Sequence, residues 1–453
     1  MKNINALKRN DNQDKFVALR RQYSVFTYED FVVETGEGGL VATFHFNIDK
    51  KHFFAPSVAI PQRSFIDWAK IGRNELETIV FHIGMIELIS YWKTLCPAKV
   101  VVKPFALDER QVEWWKKLYY NGLGEFFYLN GIDVSEDDFM LVESASSRVF
   151  SPISLPLEER TLVPIGGGKD SVVTLELLRK EMPVVPLIVN PRGATIGCIE
   201  AAGFTLDDCL VINRTLDANM LRLNAEGCLN GHTPFSAMLA FVTLLAAAGS
   251  GSRYIALSNE SSANESTVPG TKINHQYSKS VEFERDFRNY VKTYVNDKVQ
   301  YFSFLRPLSE LQIAMFFSRF KNYHAVFRSC NAGSKTDSWC GKCPKCLFTW
   351  IILSPFISHD ELVTIFGTDM SEDKCLLPVF EELNGSASVK PFECVGTVGE
   401  VRACVDAMSD REGSIFESSP KPDVALSDLL RNFNTENFLP ERFVSILKSA
   451  LCE

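Results

Sequence analysis

The sequence predicts an α/β protein built on a central parallel sheet with helices on both faces (residues 158–355). An N-terminal α+β domain (1–157) precedes it, and a small, mostly helical region (356–453) follows. Three observations carry that expectation. Strand-like and helix-like segments alternate from about residue 160 to 320, the order that gives a parallel sheet. A glycine-rich turn, Gly166-Gly167-Gly168-Lys169-Asp170-Ser171, joins the first such strand to the first such helix. Four cysteines in close spacing end the region.

Composition sets the frame. The 453 residues suit two or three domains, and 46% hydrophobic content is ample for real cores. A net charge of −9 without a Lys/Arg-rich block argues against nonspecific nucleic-acid binding. The polar, charged stretch from Met1 to Arg21 predicts no signal peptide. The longest apolar run, Phe235 to Ala248, is too short to cross a bilayer and reads as a buried helix. Twelve cysteines without a secretion signal point to reduced thiols or metal, hence to a cytoplasmic protein. Nothing in the sequence sets the oligomeric state.

In the N-terminal region, alternating runs between residues 24 and 60, broken by Gly36, Gly38 and Gly39, predict an antiparallel sheet. One helix is expected over about Glu75 to Leu95. Another starts at Asp108, a good N-cap, and carries Trp114, Trp115, Leu118 and Tyr119. The dense aromatics read first as core, and second as a platform for a nucleotide or sugar ring. His45, His52 and His82 lie among apolar residues and read as packed histidines.

In the central region, strands are expected at 162–165, 184–189, 209–213, 253–258 and 299–304. Helices are expected at 170–180, 196–203, 233–248, 281–295 and 309–321. Ligands of such sheets bind at the carboxyl ends of the strands. The first of these ends is the glycine turn. Glycines let backbone N–H groups curl round an anion, and the following helix N-terminus adds orphan donors. Lys169 adds a charge and Ser171 a hydroxyl, which together make a phosphate cradle. The pattern is neither a Walker A loop nor a dinucleotide fingerprint. The second strand ends in Asn190-Pro191-Arg192-Gly193, readable as a plain turn or as ligand contacts. Next, Thr233 reads as an N-cap with Pro234 at the first helical position, placing His232 near a positive helix end. After the fourth strand, Glu260 stands in a polar loop and is a candidate for Mg²⁺ or for a base. The run Asn274 to Ser280 holds His275, Tyr277 and Lys279, the residue types needed for proton transfer or anion recognition.

Cys330, Cys340, Cys343 and Cys346 match a closed tetrahedral Zn²⁺ site, with Gly341 and Pro344 fitting the turns between ligands. An iron–sulfur cluster or metal-free thiols are the alternatives. Lys342 and Lys345 read either as substrate contacts or as solvated lysines. Beyond residue 356, helix is expected over 359–383, a short strand and turn over Lys390–Thr397, and a helix from Val398 to Met408. A polar linker (409–423) and a final helix pair complete the chain. Glu393 and Cys394 stand either near the site or on a surface loop.

The glycine turn resembles the S-G-G-x-D-S signature of the ATP pyrophosphatase (PP-loop) family, with Gly166 in place of the leading serine. That resemblance implies bound ATP and Mg²⁺, with Asp170 at the metal, and Asn190 and Arg192 beside the AMP portion. Gly166–Ser171, Gly231–Ser236, Ser258-Asn259-Glu260, Asn274–Ser280, Cys330 with Trp339–Cys346, and Pro391–Gly396 occur in this order. As a set they are similar to the bacterial UDP-N-acetylmuramoyl-L-alanyl-L-glutamate epimerase family. The resemblance implies an ATP-dependent inversion of the terminal L-glutamate of a UDP-muramyl dipeptide through an acyl-adenylate, releasing AMP and diphosphate. Its acid/base candidates here are His232, Glu260, His275, Tyr277 and Lys279. The rival reading is a carboxylate-adenylating ligase or amidase resembling 7-cyano-7-deazaguanine synthase, which the cysteine cluster favours. A third reading is a nucleotide sensor without catalysis.

Overall fold

The computed structural model describes residues 9–452 apart from residues 269 and 410. After helix α1 (Gln13–Gln22), strands β1 (Val25–Gly36) and β2 (Gly39–Ile48) form a hairpin, extended by β3 (His52–Phe54) and β4 (Ser57–Pro61). Helix α2 (Arg73–Trp92), β5 (Lys99–Val102), α3 (Glu109–Gly122), α4 (Gly124–Asn130) and β6 (Leu141–Ser144) complete the N-terminal part. The central run is β7 (Glu158–Pro164), α5 (Lys169–Leu178), β8 (Val184–Val189), α6 (Gly193–Ala201), β9 (Leu210–Thr215), α7 (Ala218–Ala225) and α8 (Phe235–Ser250). It continues through β10 (Ser252–Leu257), α9 (Val281–Tyr294), β11 (Gln300–Ser303), α10 (Glu310–Ser318) and α11 (Pro344–Leu353). The tail carries α12 (His359–Phe366), α13 (Leu377–Leu383), α14 (Val398–Asp406), the single turn α15 (Leu426–Leu429) and α16 (Glu441–Cys452).

The five central strands pair in parallel in the order β11-β10-β7-β8-β9. The N-terminal strands do not form a separate sheet. β4 pairs antiparallel with β9, so one sheet of eleven strands runs through the molecule. The pleat distributes its side chains between two cores. Leu162, Leu187, Ile255 and Leu257 join the core shared with α2, α8 and the N-terminal aromatics. Val163, Ile188, Ala256 and Phe302 join the opposite core, with α5, α10, α11 and the C-terminal helices.

The predicted helix at 75–95 is α2, and every residue from Thr78 to Trp92 is buried. Such a helix has no solvent face because it lies between the N-terminal sheet and α8. Gly84 permits that approach: a Cβ there would stand 2.0 Å from the Tyr28 hydroxyl. Asp108 caps α3 with a full capping box to Gln111. Most N-terminal aromatics are core, including Phe26, Tyr28, Phe44 and Phe46, while Phe53 is exposed. His82 is a packed histidine between the Thr78 carbonyl and the Tyr290 hydroxyl. A buried ion pair, Glu87 with Arg214 at 2.8 Å, ties α2 to β9.

Three expectations differ in detail. The 359–383 segment is two helices separated by a turn, not one. Residues 390–397 form bends without a ladder, since Pro391 offers no N–H to a neighbouring strand. The polar stretch 409–423 is anchored by Ile415 and Phe416, both buried. Among the described residues, no helix is long and apolar enough to cross a membrane, and no cysteine is in a disulfide.

Candidate active site

A cleft of about 500 Å³ opens along the carboxyl ends of β7, β8 and β10, where parallel sheets place ligands. The glycine turn forms its floor. Gly167 has φ +84°, and Gly168 occupies the N-cap position of α5. Neighbouring loops press on the turn. A Cβ on Gly167 would lie 3.0 Å from Ala194, and one on Gly168 2.8 Å from the Ser329 hydroxyl. The Gly167 carbonyl accepts from the Arg328 N–H at 2.8 Å. The turn is therefore held open by α6 on one side and by the segment leading to Cys330 on the other.

Four cationic side chains, Arg192, Lys279, Arg328 and Lys345, line the cleft against two carboxylates, Asp170 and Asp337. In a chain of net charge −9 this is a local positive site. Two buried polar atoms of the wall, Ser258 Oγ and Arg328 Nε, have no protein partner. Buried groups of that kind call for a polar ligand or water.

The sequence-predicted residues divide between this cleft and its surroundings. Gly166, Gly168, Asp170, Ser171, Asn190, Arg192 and Lys279 line it. The Asn190 side chain is spent on structure, bonding the Arg214 backbone in both directions at 2.7 and 3.0 Å. Lys169 is buried, and its ammonium is paired with Asp170 and Glu310. Burial works against that charge, but Asp170 and Glu310 outweigh it and hold the lysine above its ordinary pKa. Glu260 does not line the cleft. Its carboxylate accepts from the Ser262 N–H, and burial, then Glu400, push it up to about 7. Tyr277 faces a second cavity of about 1110 Å³ beside Asn274 and Lys117. Helix α8 starts one residue later than expected, at Phe235 with Pro234 before it.

His232 and His275 come together over Glu125, a residue that sequence reasoning missed. Their ring centroids are 4.6 Å apart. His275 Nδ1 donates to the Glu125 carboxylate at 2.5 Å, and His232 Nδ1 stands 3.6 Å from the same oxygen. Burial, then His275, lower His232 to about 4, so it is neutral at pH 7. Burial opposes the His275 charge, but Cys394 and Glu125 raise it to about 9. The ligand atoms of Glu125, His232 and His275 lie within 4.8 Å of one another, close enough to share a proton or to hold a metal ion. Lys279 Nζ donates to the Cys394 sulfur at 3.0 Å, which brings the 390–397 segment to the site. Glu310, Glu125 and Arg328 belong here too, and each stands in sequence with no motif around it.

The four cysteines converge with all sulfurs within 4.8 Å of one another. The Sγ–Sγ separations are 3.7 Å (Cys330–Cys343), 3.7 Å (Cys340–Cys346) and 3.4 Å (Cys343–Cys346). A disulfide would need about 2.05 Å. A tetrahedron with metal–sulfur bonds of about 2.3 Å has edges of about 3.8 Å, so the set fits a metal ion. Gly341 takes φ +66°, and Pro344 opens α11 directly after Cys343. Cys330 also lines the cleft, so the cluster fixes part of its wall.

Two family profiles match the chain: the MurL N-terminal domain over residues 18–304 and the MurL C-terminal domain over residues 326–417. Three curated relatives carry the name UDP-N-acetyl-alpha-D-muramoyl-L-alanyl-L-glutamate epimerase. The protein from Xanthomonas oryzae pv. oryzae is 33% identical over 404 residues, covering 86% of this chain and 87% of that one. The protein from Salinispora tropica is 35% identical over 339 residues, 73% of each chain. The protein from a Micromonospora species is 31% identical, covering 86% of this chain and 88% of that one. With both profiles in chain order and relatives aligned over most of their length, the chain belongs to the MurL family of epimerases.

Proposed function

We propose that this protein inverts the terminal L-glutamate of UDP-N-acetylmuramoyl-L-alanyl-L-glutamate, and that ATP activates the glutamyl α-carboxylate for that step. The observation that carries the ATP-dependent part is the positive cleft over the glycine turn at the sheet's carboxyl edge. Its backbone donors, Ser171, Arg192 and Arg328 suit a triphosphate. Asp170 is the carboxylate assigned to Mg²⁺, which takes one or two carboxylates alongside phosphate oxygens. The cysteine cluster is assigned to structural Zn²⁺, with four thiolates and no open position. A nucleotide-linked precursor and twelve unpaired cysteines agree with a cytoplasmic enzyme.

The chemistry explains the use of ATP. Removing an α-proton beside a free carboxylate would create a dianion. Transfer of AMP to the carboxylate, with diphosphate leaving, cancels one charge and leaves an acyl group that delocalises the carbanion. The protein then has to stabilise enolate charge near the acyl oxygen. It must also move protons at the two faces of one carbon. Lys279 lines the cleft and is the cation we assign to that oxygen. His232, neutral, and His275, protonated, offer an acceptor and a donor side by side. Of the acid/base candidates Lys279 lines the cleft, while His232, His275, Glu260 and Tyr277 all stand behind its wall.

The test is product analysis on the UDP-muramyl dipeptide with ATP, in the presence and absence of ammonium. In both, water should hydrolyse the epimerised acyl-adenylate to give the D-glutamyl product and AMP, with diphosphate already released. An amide that appears only with ammonium would overturn the epimerase assignment in favour of the ligase class.

A further inference from the structure

Cys394 lies between two features already described. On one side is Lys279, whose ammonium donates to the sulfur at 3.0 Å and which lines the nucleotide cleft. On the other is His275, oriented by the Glu125 carboxylate at 2.5 Å. A carboxylate, an imidazole and a thiol in sequence form an arrangement in which the imidazole keeps the sulfur ionised and the carboxylate fixes the ring. The cysteine is reached from the 390–397 segment, which is anchored by Phe392 against Tyr128 (5.3 Å between ring centroids). Asn331 bonds Glu393 at 2.8 Å and Lys345 stands 3.7 Å from it, tying the same segment to the cysteine-cluster loop.

We propose that the Cys394 sulfur is a proton-transfer group for the glutamyl α-carbon, with Lys279 and His275 holding it as thiolate and Glu125 positioning His275. The assignment rests on the acyl-adenylate reading above. An S–H bond forms as the Cα–H bond breaks, and the electron pair passes into the activated carbonyl as an enolate. A proton donor on the opposite face, water or a protein acid, protonates the carbon. The thiol then gives its proton to water, which restores the thiolate beside Lys279 and the protonated His275, so no proton is gained or lost over the cycle. Among the described groups, the charges on the sulfur favour this role. Burial would raise the thiol pKa, but Lys279, Lys345 and His275 outweigh it and hold Cys394 well below the ordinary value. The other cysteines outside the metal cluster with a resolved shift, Cys96, Cys198, Cys209, Cys228 and Cys404, are all pushed up by burial.

Cys394→Ser and His275→Gln are compared with the full-length wild type for two readouts on the same samples. One is deuterium uptake at the glutamyl α-carbon from D₂O, and the other is substrate-dependent diphosphate release. For Cys394→Ser, deuterium uptake is expected to fall by about a hundredfold or more, with diphosphate release within about threefold of wild type. Uptake within about threefold of wild type, or a parallel loss of both in folded protein, overturns the assignment. A third measurement needs no substitution: iodoacetamide modification of the wild type, located at Cys394 by peptide mass. Equal rates at about pH 6 and about pH 8 are expected, and the steep fall of an ordinary thiol below its pKa of about 8.5 would contradict it. His275→Gln should restore that fall. A divalent metal lost on Glu125→Gln would also overturn it, because a cation would then occupy the His275 nitrogen. If the wild type exchanged equally without ATP, the acyl-adenylate would be refuted while the Cys394 variants still decided the sulfur's role.

Discussion

Replacing Gly167 by alanine should damage this enzyme, and replacing its neighbour Gly166 should not unfold it. Gly167 sits at φ +84°, where a β-carbon crowds the following carbonyl at about 1–2 kcal/mol. The new methyl would also stand 3.0 Å from Ala194 and 3.1 Å from the Thr195 nitrogen, closer than van der Waals contact. Overpacking against the first turn of a helix adds about 1 kcal/mol or more. The sum is about 2–4 kcal/mol, divided between lost stability and a displaced turn. A Cβ on Gly166 meets nothing within 4 Å, so its effect on stability should stay within about 0.5 kcal/mol. Urea unfolding of both variants and calorimetric ATP binding by Gly167→Ala would measure the effect. Wild-type stability and ATP affinity in Gly167→Ala, or equal destabilisation by Gly166→Ala, would refute the idea that this turn is a strained cradle.

Other outcomes follow from buried charge and metal. Glu87→Ala leaves Arg214 buried without its partner and should cost about 3–5 kcal/mol in urea unfolding, with Glu87→Gln milder. His82 has its pKa lowered by burial from 6.5 to about 4, so the unfolded chain binds its proton first on acidification. Stability should therefore drop between about pH 6.5 and about pH 4, by about 3 kcal/mol from this residue, and His82→Gln should flatten the slope. His275 works in the opposite sense: raised to about 9, it stabilises below about pH 6.5 and loses that contribution as pH rises towards 9. Purified protein should carry about one zinc per chain, which Cys343→Ser should lose. Metal analysis showing none, with four titratable thiols, would contradict the assignment.

The elements legible in sequence were those whose signal is local. The alternation of Leu162 and Val163, or of Ile255 and Ala256, marks strands buried on both faces, and all five central strands form close to where they were expected. Asp108 announces its helix because a cap and its partner lie three residues apart. The cysteine set is legible because its four members fall between residues 330 and 346 of the chain. What escaped depends on distance along the chain. Lys169 finds Glu310 across 141 residues, and Glu125 finds His275 across 150. No pattern at either end signals the other. The edge pairing of β4 with β9 is equally silent, since each strand carries the same alternation whether its neighbour is one sheet or another. Lys169 stands in the loop, and its ammonium bridges Asp170 at the cleft and Glu310 on α10.

The central claim is that a nucleotide is consumed so that a glutamyl α-carbon can exchange its hydrogen. NMR of the UDP-muramyl dipeptide in D₂O with the enzyme tests it directly. Deuterium should enter the glutamyl α-position with ATP and Mg²⁺, and not with α,β-methylene-ATP or without nucleotide. Equal incorporation in all three would contradict it.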